Sequence, residues 1–235
     1  LFLTRKELYQ EIIDSQLFEN SMQYAKYPET ASFVALLASQ MLQVCSNKDD
    51  QYDNFNSLLP LPELHEHFMQ SNDDQLIRCV LTLFTNSIYF NTYLINQLTQ
   101  DEDLVRLKVL IESENSDIQN RTVWCLWNLL RYSDFEKLTK ILLFEDLRDI
   151  LIEISFCMDD FPFIKSVLVP AIMRVDKNIK NANAEAVEPY SSFLSRLIDP
   201  LRELCYKEDS PEIMSIAASC LKAVFPDVYK DEQFS

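Results

Sequence analysis

"DIQNRTVWCLWNLLRYS", Asp117 to Ser133, contains both tryptophans of the chain within one turn of what its apolar spacing marks as a long amphipathic helix. A buried indole must find a partner for its N–H. Two of them three residues apart therefore point either to a crowded core or to a surface built to grip something. Glycine is absent from all 235 residues. Rossmann turns, P-loops, two-residue hairpins and nucleophile elbows need glycine for positive φ or close backbone approach, so an all-α protein remains. Helix ends that usually recruit glycine must then use asparagine or serine, as in "CSNKDD" and "ENSD".

Working outward, four other long apolar helices match this one. "ASFVALLASQMLQVCS" starts at Ala31, "QLIRCVLTLFTNSIYF" at Gln75, "FPFIKSVLVPAIMRVDKN" at Phe161 and "EIMSIAASCLKAVF" at Glu212, so the five are offset by 44, 42, 44 and 51 residues. Armadillo and HEAT units repeat every 40 to 47 residues or so. All but the first follow a shorter amphipathic helix: "ELHEHFMQ", "LVRLKVLIES", "FEDLRDILIEIS" and "IDPLRELCYKE". The chain opens on "TRKELYQEIIDSQLFENSMQYA", with Thr4 and Glu7 in capping-box spacing and a stripe of Leu8, Ile12, Ile13 and Leu17. "ASFVALLASQMLQVCS" is apolar almost all round, as expected of a helix sandwiched between neighbours.

The expected fold is therefore an all-α, armadillo/HEAT-like right-handed α-solenoid of about five helical repeats. One domain spans 1–235, with repeats near 4–47, 60–91, 103–133, 145–176 and 190–226 and a long loop over 177–189. The acidic clusters Asp49–Asp50, Asp73–Asp74, Asp101–Asp103 and Asp159–Asp160 fall between apolar blocks and read as loops and helix starts.

Net charge is −16, from 37 acidic and 21 basic residues, which on average repels nucleic acid and anionic membrane; a basic protein or peptide is the complementary partner. No apolar run is long enough for a membrane helix, and the charges in "LFLTRKELYQEIID" do not fit a signal peptide, so a soluble protein inside the cell is expected. The chain starts at Leu1 without methionine, as a fragment would. Its six cysteines are Cys45, Cys79, Cys125, Cys157, Cys205 and Cys220; scattered singly, they read as buried reduced thiols. His65 and His67 form an H-x-H whose members face different sides of a helix, with no further ligands nearby, so neither metal nor cofactor is expected.

"LVRLKVLIESENSDIQNRTVWCLWNLLRYS" resembles one armadillo repeat of the importin-alpha type, in which a short helix and a polar turn precede a helix reading V-W-x-L-x-N. The resemblance implies that Trp124 and Asn128 stand on a concave surface, the indole slotting lysine stems and the carboxamide holding a ligand backbone. Positions i and i+4 share a helix face, indole attracts cations, and a carboxamide both donates and accepts. The corresponding positions one repeat earlier are Thr82 and Asn86, and Gln40 stands at the asparagine position of the repeat before that. Two departures accompany it: Trp127 replaces a small residue, and Arg121 is a cation where the family often has an amide or acid.

Large rings dominate core energetics, so both tryptophans are equally well read as core side chains. An enzyme would need a convergent set of perturbed groups, and two histidines without a clustered nucleophile and base do not supply one. The expected function is a non-enzymatic interaction module that binds an extended, basic segment along its groove, as an importin-alpha-like nuclear transport adaptor of nucleus and cytoplasm. The alternative is an armadillo/HEAT scaffold subunit of a larger assembly.

Overall fold

The computed structural model describes residues 11–12, 16–45, 57–144, 146–158, 160–184, 188–207 and 210–231. Thr4, Glu7, Leu8, Ile13, the stretch 46–50, Asp159 and the Cys45 side chain lie outside the described residues. Among the described residues the regular structure is all helix, without strand. No described helix is long and apolar enough to cross a membrane.

In chain order the elements are α1 (Leu17–Met22), a 3₁₀ turn (Gln23–Lys26), α2 (Pro28–Cys45), α3 (Leu61–Gln70), α4 (Asp74–Ser87), α5 (Thr92–Leu98) and α6 (Asp101–Ile111). Next come α7 (Ser116–Tyr132), α8 (Phe135–Leu143), α9 (Leu147–Cys157) and α10, in which Phe161–Phe163, a π turn (Ile164–Leu168) and Val169–Asn181 follow without a break. α11 (Tyr190–Cys205), α12 (Pro211–Val224) and α13 (Pro226–Asp231) complete the series. The short helices α5 and α8 fall between the units of the repeat reading, so the order short, medium, long occurs twice along the chain, as α5–α6–α7 and α8–α9–α10.

Polar caps start many of these helices. Asp73 accepts from the Gln75 and Leu76 amides at 2.8 and 3.4 Å, Asn91 from Leu94 at 3.0 Å, Asp134 from Lys137 at 3.0 Å and Asp160 from Phe163 at 3.2 Å. Asp101 to Asp103 form the first turn of α6, where carboxylates complement the helix dipole. Two of the expected acidic helix starts are thus N-caps and a third is a first turn.

The chain divides into two compact units. One comprises residues 1–98 with 113–125, the other 99–112 with 126–235. In the first, α2 packs most extensively on α4, and Ala31, Ala35 and Ala38 are buried where the two backbones approach. The Phe68 ring meets Phe84 edge-on at 5.4 Å and so ties α3 to α4. Two expectations fail in this unit. Leu17 is 58% exposed while Phe18 and Met22 are buried, because Gln16 takes a left-handed conformation (φ 56°) and helix α1 starts anew after it, off the expected stripe. Nor is α2 covered all round among the described residues: Phe33 is 62% exposed and shares the outer stripe with Leu36 and Gln40.

In the second unit α11 packs on α12, with Phe193, Leu197, Leu201, Ile213, Ala217 and Leu221 buried. Pro170 explains the π turn in α10. It has no N–H to give the Ser166 carbonyl four residues back, and its ring crowds that carbonyl. The Arg131 guanidinium donates to the Ser166 oxygen instead, at 3.0 Å.

The loop expected over 177–189 starts later. α10 runs on to Asn181, with Ile179 buried on the stripe of Ile172 and Val175 and Lys180 paired to Asp176 at 2.8 Å. It ends in a Schellman motif built without glycine. Asn183 adopts φ 53°, its amide reaches the Lys180 carbonyl, and the Ala184 amide reaches that of Ile179, both at 3.1 Å.

Candidate functional site

The site expected from the sequence centres on α7, whose start is fixed by Asn115. That side chain accepts from the Asp117 and Ile118 amides at 3.1 and 3.5 Å, so the asparagine of "ENSD" caps the beginning of α7 instead of closing the helix before it. Asn115 also donates to Asp74 at 2.8 Å, which links the start of α7 to the start of α4.

Asp74, Arg78, Thr82 and Asn86 follow one another at four-residue spacing and form one polar stripe along α4. Every member has a partner outside α4. Arg78 donates to Asp117 at 3.3 Å, Thr82 accepts from the Arg121 guanidinium, and Asn86 donates to Ser39 of α2 at 2.9 Å. Arg121 also donates to Asp117 at 2.9 Å. The Asp117 carboxylate thus receives a guanidinium on each oxygen, one from its own helix and one from α4.

Of the residues proposed from the sequence, Thr82, Asn86, Arg121, Gln40 and Trp124 lie in the first unit, and the structure joins Thr82 to Arg121 directly. Gln40 is exposed, Trp124 is partly exposed, and Asn128, one turn after Trp124 on α7, is buried in the second unit. Sequence reasoning missed Asp74, Arg78, Asn115 and Asp117. The signal for three of them was present: Asp, Arg, Thr and Asn at four-residue spacing on α4, and an acid four residues before Arg121 on α7.

Trp127 has the opposite environment. It is fully buried in the second unit, its indole Nε1–H donates to the Ser155 hydroxyl at 2.6 Å, and its ring lies 6.1 Å from that of Phe193. The Ser155 hydroxyl in turn donates to the Leu151 carbonyl, so the one polar atom of the indole ends in a satisfied chain.

The described cysteines are free thiols. Burial pushes Cys125 and Cys220 up to about 12, with Asp176 and Cys205 adding to the effect at Cys220. Burial also raises the Cys79 thiol, against the opposing pull of Arg121 and Arg78. Cys157 corrects the expectation of buried thiols: it is the last residue of α9 and exposed. His65 lies 6.4 Å from the Phe84 ring, and among the described residues no group of His, Cys, Asp or Glu is arranged to hold a metal ion.

No protein-family model matches this chain, and no curated protein matches it either. Among solved structures it is similar to an engineered protein whose crystal structure was determined by the Northeast Structural Genomics Consortium. The two are 19% identical, with a TM-score of 0.62 over 93% of this chain and 85% of that one. At that identity the likeness is one of fold alone.

Proposed function

We propose that the chain is a non-enzymatic protein-interaction module of armadillo type, which binds an extended, basic segment of a partner along a groove lined by its long helices. Its sharpest form is an importin-alpha-like nuclear transport adaptor working in nucleus and cytoplasm, with no direct role for nucleic acid or membrane. The observation that carries this reading is the contrast on α7. Trp127 is sealed in the core with its N–H bonded, while Trp124, three residues earlier, keeps part of its surface accessible. An indole face held at a surface attracts a lysine or arginine stem, and the net charge of −16 steers a basic segment toward it. The recurring order of short, medium and long helices supports the repeat architecture.

A second reading, a scaffold subunit that binds a folded partner, is favoured by the state of the polar stripe. Asn86 and Thr82 are engaged within the chain, so neither offers its polar group to an extended ligand as the groove reading asks. Calorimetric titration separates the two. A lysine-rich linear peptide should bind the chain and its alanine counterpart should not; equal binding of both, or of neither, would leave the scaffold.

A further inference from the structure

The Asp117 carboxylate is the natural acceptor for a cation arriving on the Trp124 side of α7. Asp117, Arg121 and Trp124 lie four and then three residues apart, on one face of the helix. Asp117 and Trp124 are about 10 Å apart along the axis, at roughly 1.5 Å per residue, a span that an extended segment covers in about three residues. A lysine on the indole and another a few residues away would therefore meet the ring and the carboxylate together. In this chain the carboxylate is already taken. Arg121 holds one oxygen at 2.9 Å and is itself fixed by Thr82 on α4, while Arg78 holds the other at the longer distance of 3.3 Å. These contacts are open to exchange: the Asp117 side chain is 43% exposed and that of Arg121 37%.

We propose that Arg121 is a built-in competitor of the partner's cations: it occupies the Asp117 carboxylate that a lysine or arginine of a bound segment would otherwise take, and so sets how basic a segment the Trp124 face accepts. This rests on the interaction reading above and adds to it the residue that tunes it. Exchange costs little because a solvent-exposed ion pair contributes little net free energy. Arg121 holds Asp117 without a second molecule being ordered, so weakly basic segments lose the competition and strongly basic ones win it. Arg78 stays on the second oxygen and keeps the carboxylate oriented.

The test titrates a short peptide of alternating lysine and alanine against the whole chain and its variants. Arg121→Gln should bind it about three- to fivefold tighter, the ratio that an exposed ion pair of up to about 1 kcal/mol allows. The gain should vanish when Asp117→Asn is combined with it. Arg121→Met, which keeps an unbranched stem against the helix, is run in parallel so that a folding defect of one variant leaves the answer readable. Lys26→Gln, which removes the same charge elsewhere in the unit, should change affinity less. A gain of equal size in the Asp117→Asn background, or with Lys26→Gln, would reduce the effect to net charge and overturn the proposal. If the native chain binds the peptide and Trp124→Ala weakens it, but neither Arg121 variant tightens it, the proposal falls and the interaction reading stands. If neither the native chain nor any variant binds, both fall.

Discussion

Along the stripe from Asp74 to Asn86 in one unit, polar side chains pair with each other at partly exposed positions, whereas in the other unit the Trp127 indole is sealed among apolar side chains with a single hydrogen bond to Ser155. The difference concerns what each region can still do. Exposed pairs exchange with solvent or a partner at little cost, while a buried ring with its N–H satisfied is worth several kcal/mol to the fold and nothing to a ligand. α7 spans both environments, and its two tryptophans fall on either side of the division.

The contrast breaks first at Trp127. Replacing it by alanine should cost about 3 to 5 kcal/mol of unfolding free energy, as expected for a large buried aromatic. Denaturant unfolding measures this; a loss below about 1 kcal/mol would mean that the ring is not packed as described. Next comes alkaline pH. A thiol raised to about 12 by burial stays protonated when folded and ionises from 9.0 upward when unfolded. The unfolded state then holds fewer protons, so stability is fully present below pH 9 and falls as pH rises above it. Cys125→Ala should flatten the decline between pH 9 and 10.5. An unchanged slope would remove Cys125 as a cause.

Thiol reagent at neutral pH should modify Cys157 rapidly and leave Cys125 and Cys220 until the chain is unfolded, since the first is exposed and the others are buried. Smaller effects belong to the helix ends. Asp73→Ala removes the acceptor of two amides and should cost about 1 kcal/mol. Asn183→Gly should stabilise by about half a kcal/mol, because φ 53° suits glycine better than asparagine. Destabilisation at Asn183 would mean that its side chain contributes more than its backbone angle.

The helices were legible in the sequence because their apolar residues recur at helical spacing and no glycine offers an alternative. Leu17 was misread because a single left-handed residue, Gln16, resets the phase of the stripe. The outward side of α2, with Phe33 and Leu36, stayed hidden because a helix apolar all round does not reveal which side is covered. α5 and α8, with 7 and 9 residues, are too short for periodicity to stand out. Pro170 was visible, but its consequence depends on Arg131 lying close enough to satisfy the freed carbonyl, a contact across 35 residues. The site was half legible. Trp124 and Arg121 follow from local pattern, whereas the pairing of Arg78 with Asp117 joins residues 39 apart that only the packed fold brings together.

Peptide titration of Trp124→Ala, with its melting temperature measured alongside, probes the proposed division of the α7 tryptophans between a surface role and a core role. Affinity for a lysine-rich peptide should fall by about thirtyfold, the equivalent of roughly 2 kcal/mol for one hot-spot aromatic, while the loss of stability should stay well below that of Trp127→Ala. Unchanged affinity together with a loss of stability equal to that of Trp127→Ala would make both rings core residues and remove the surface role of Trp124.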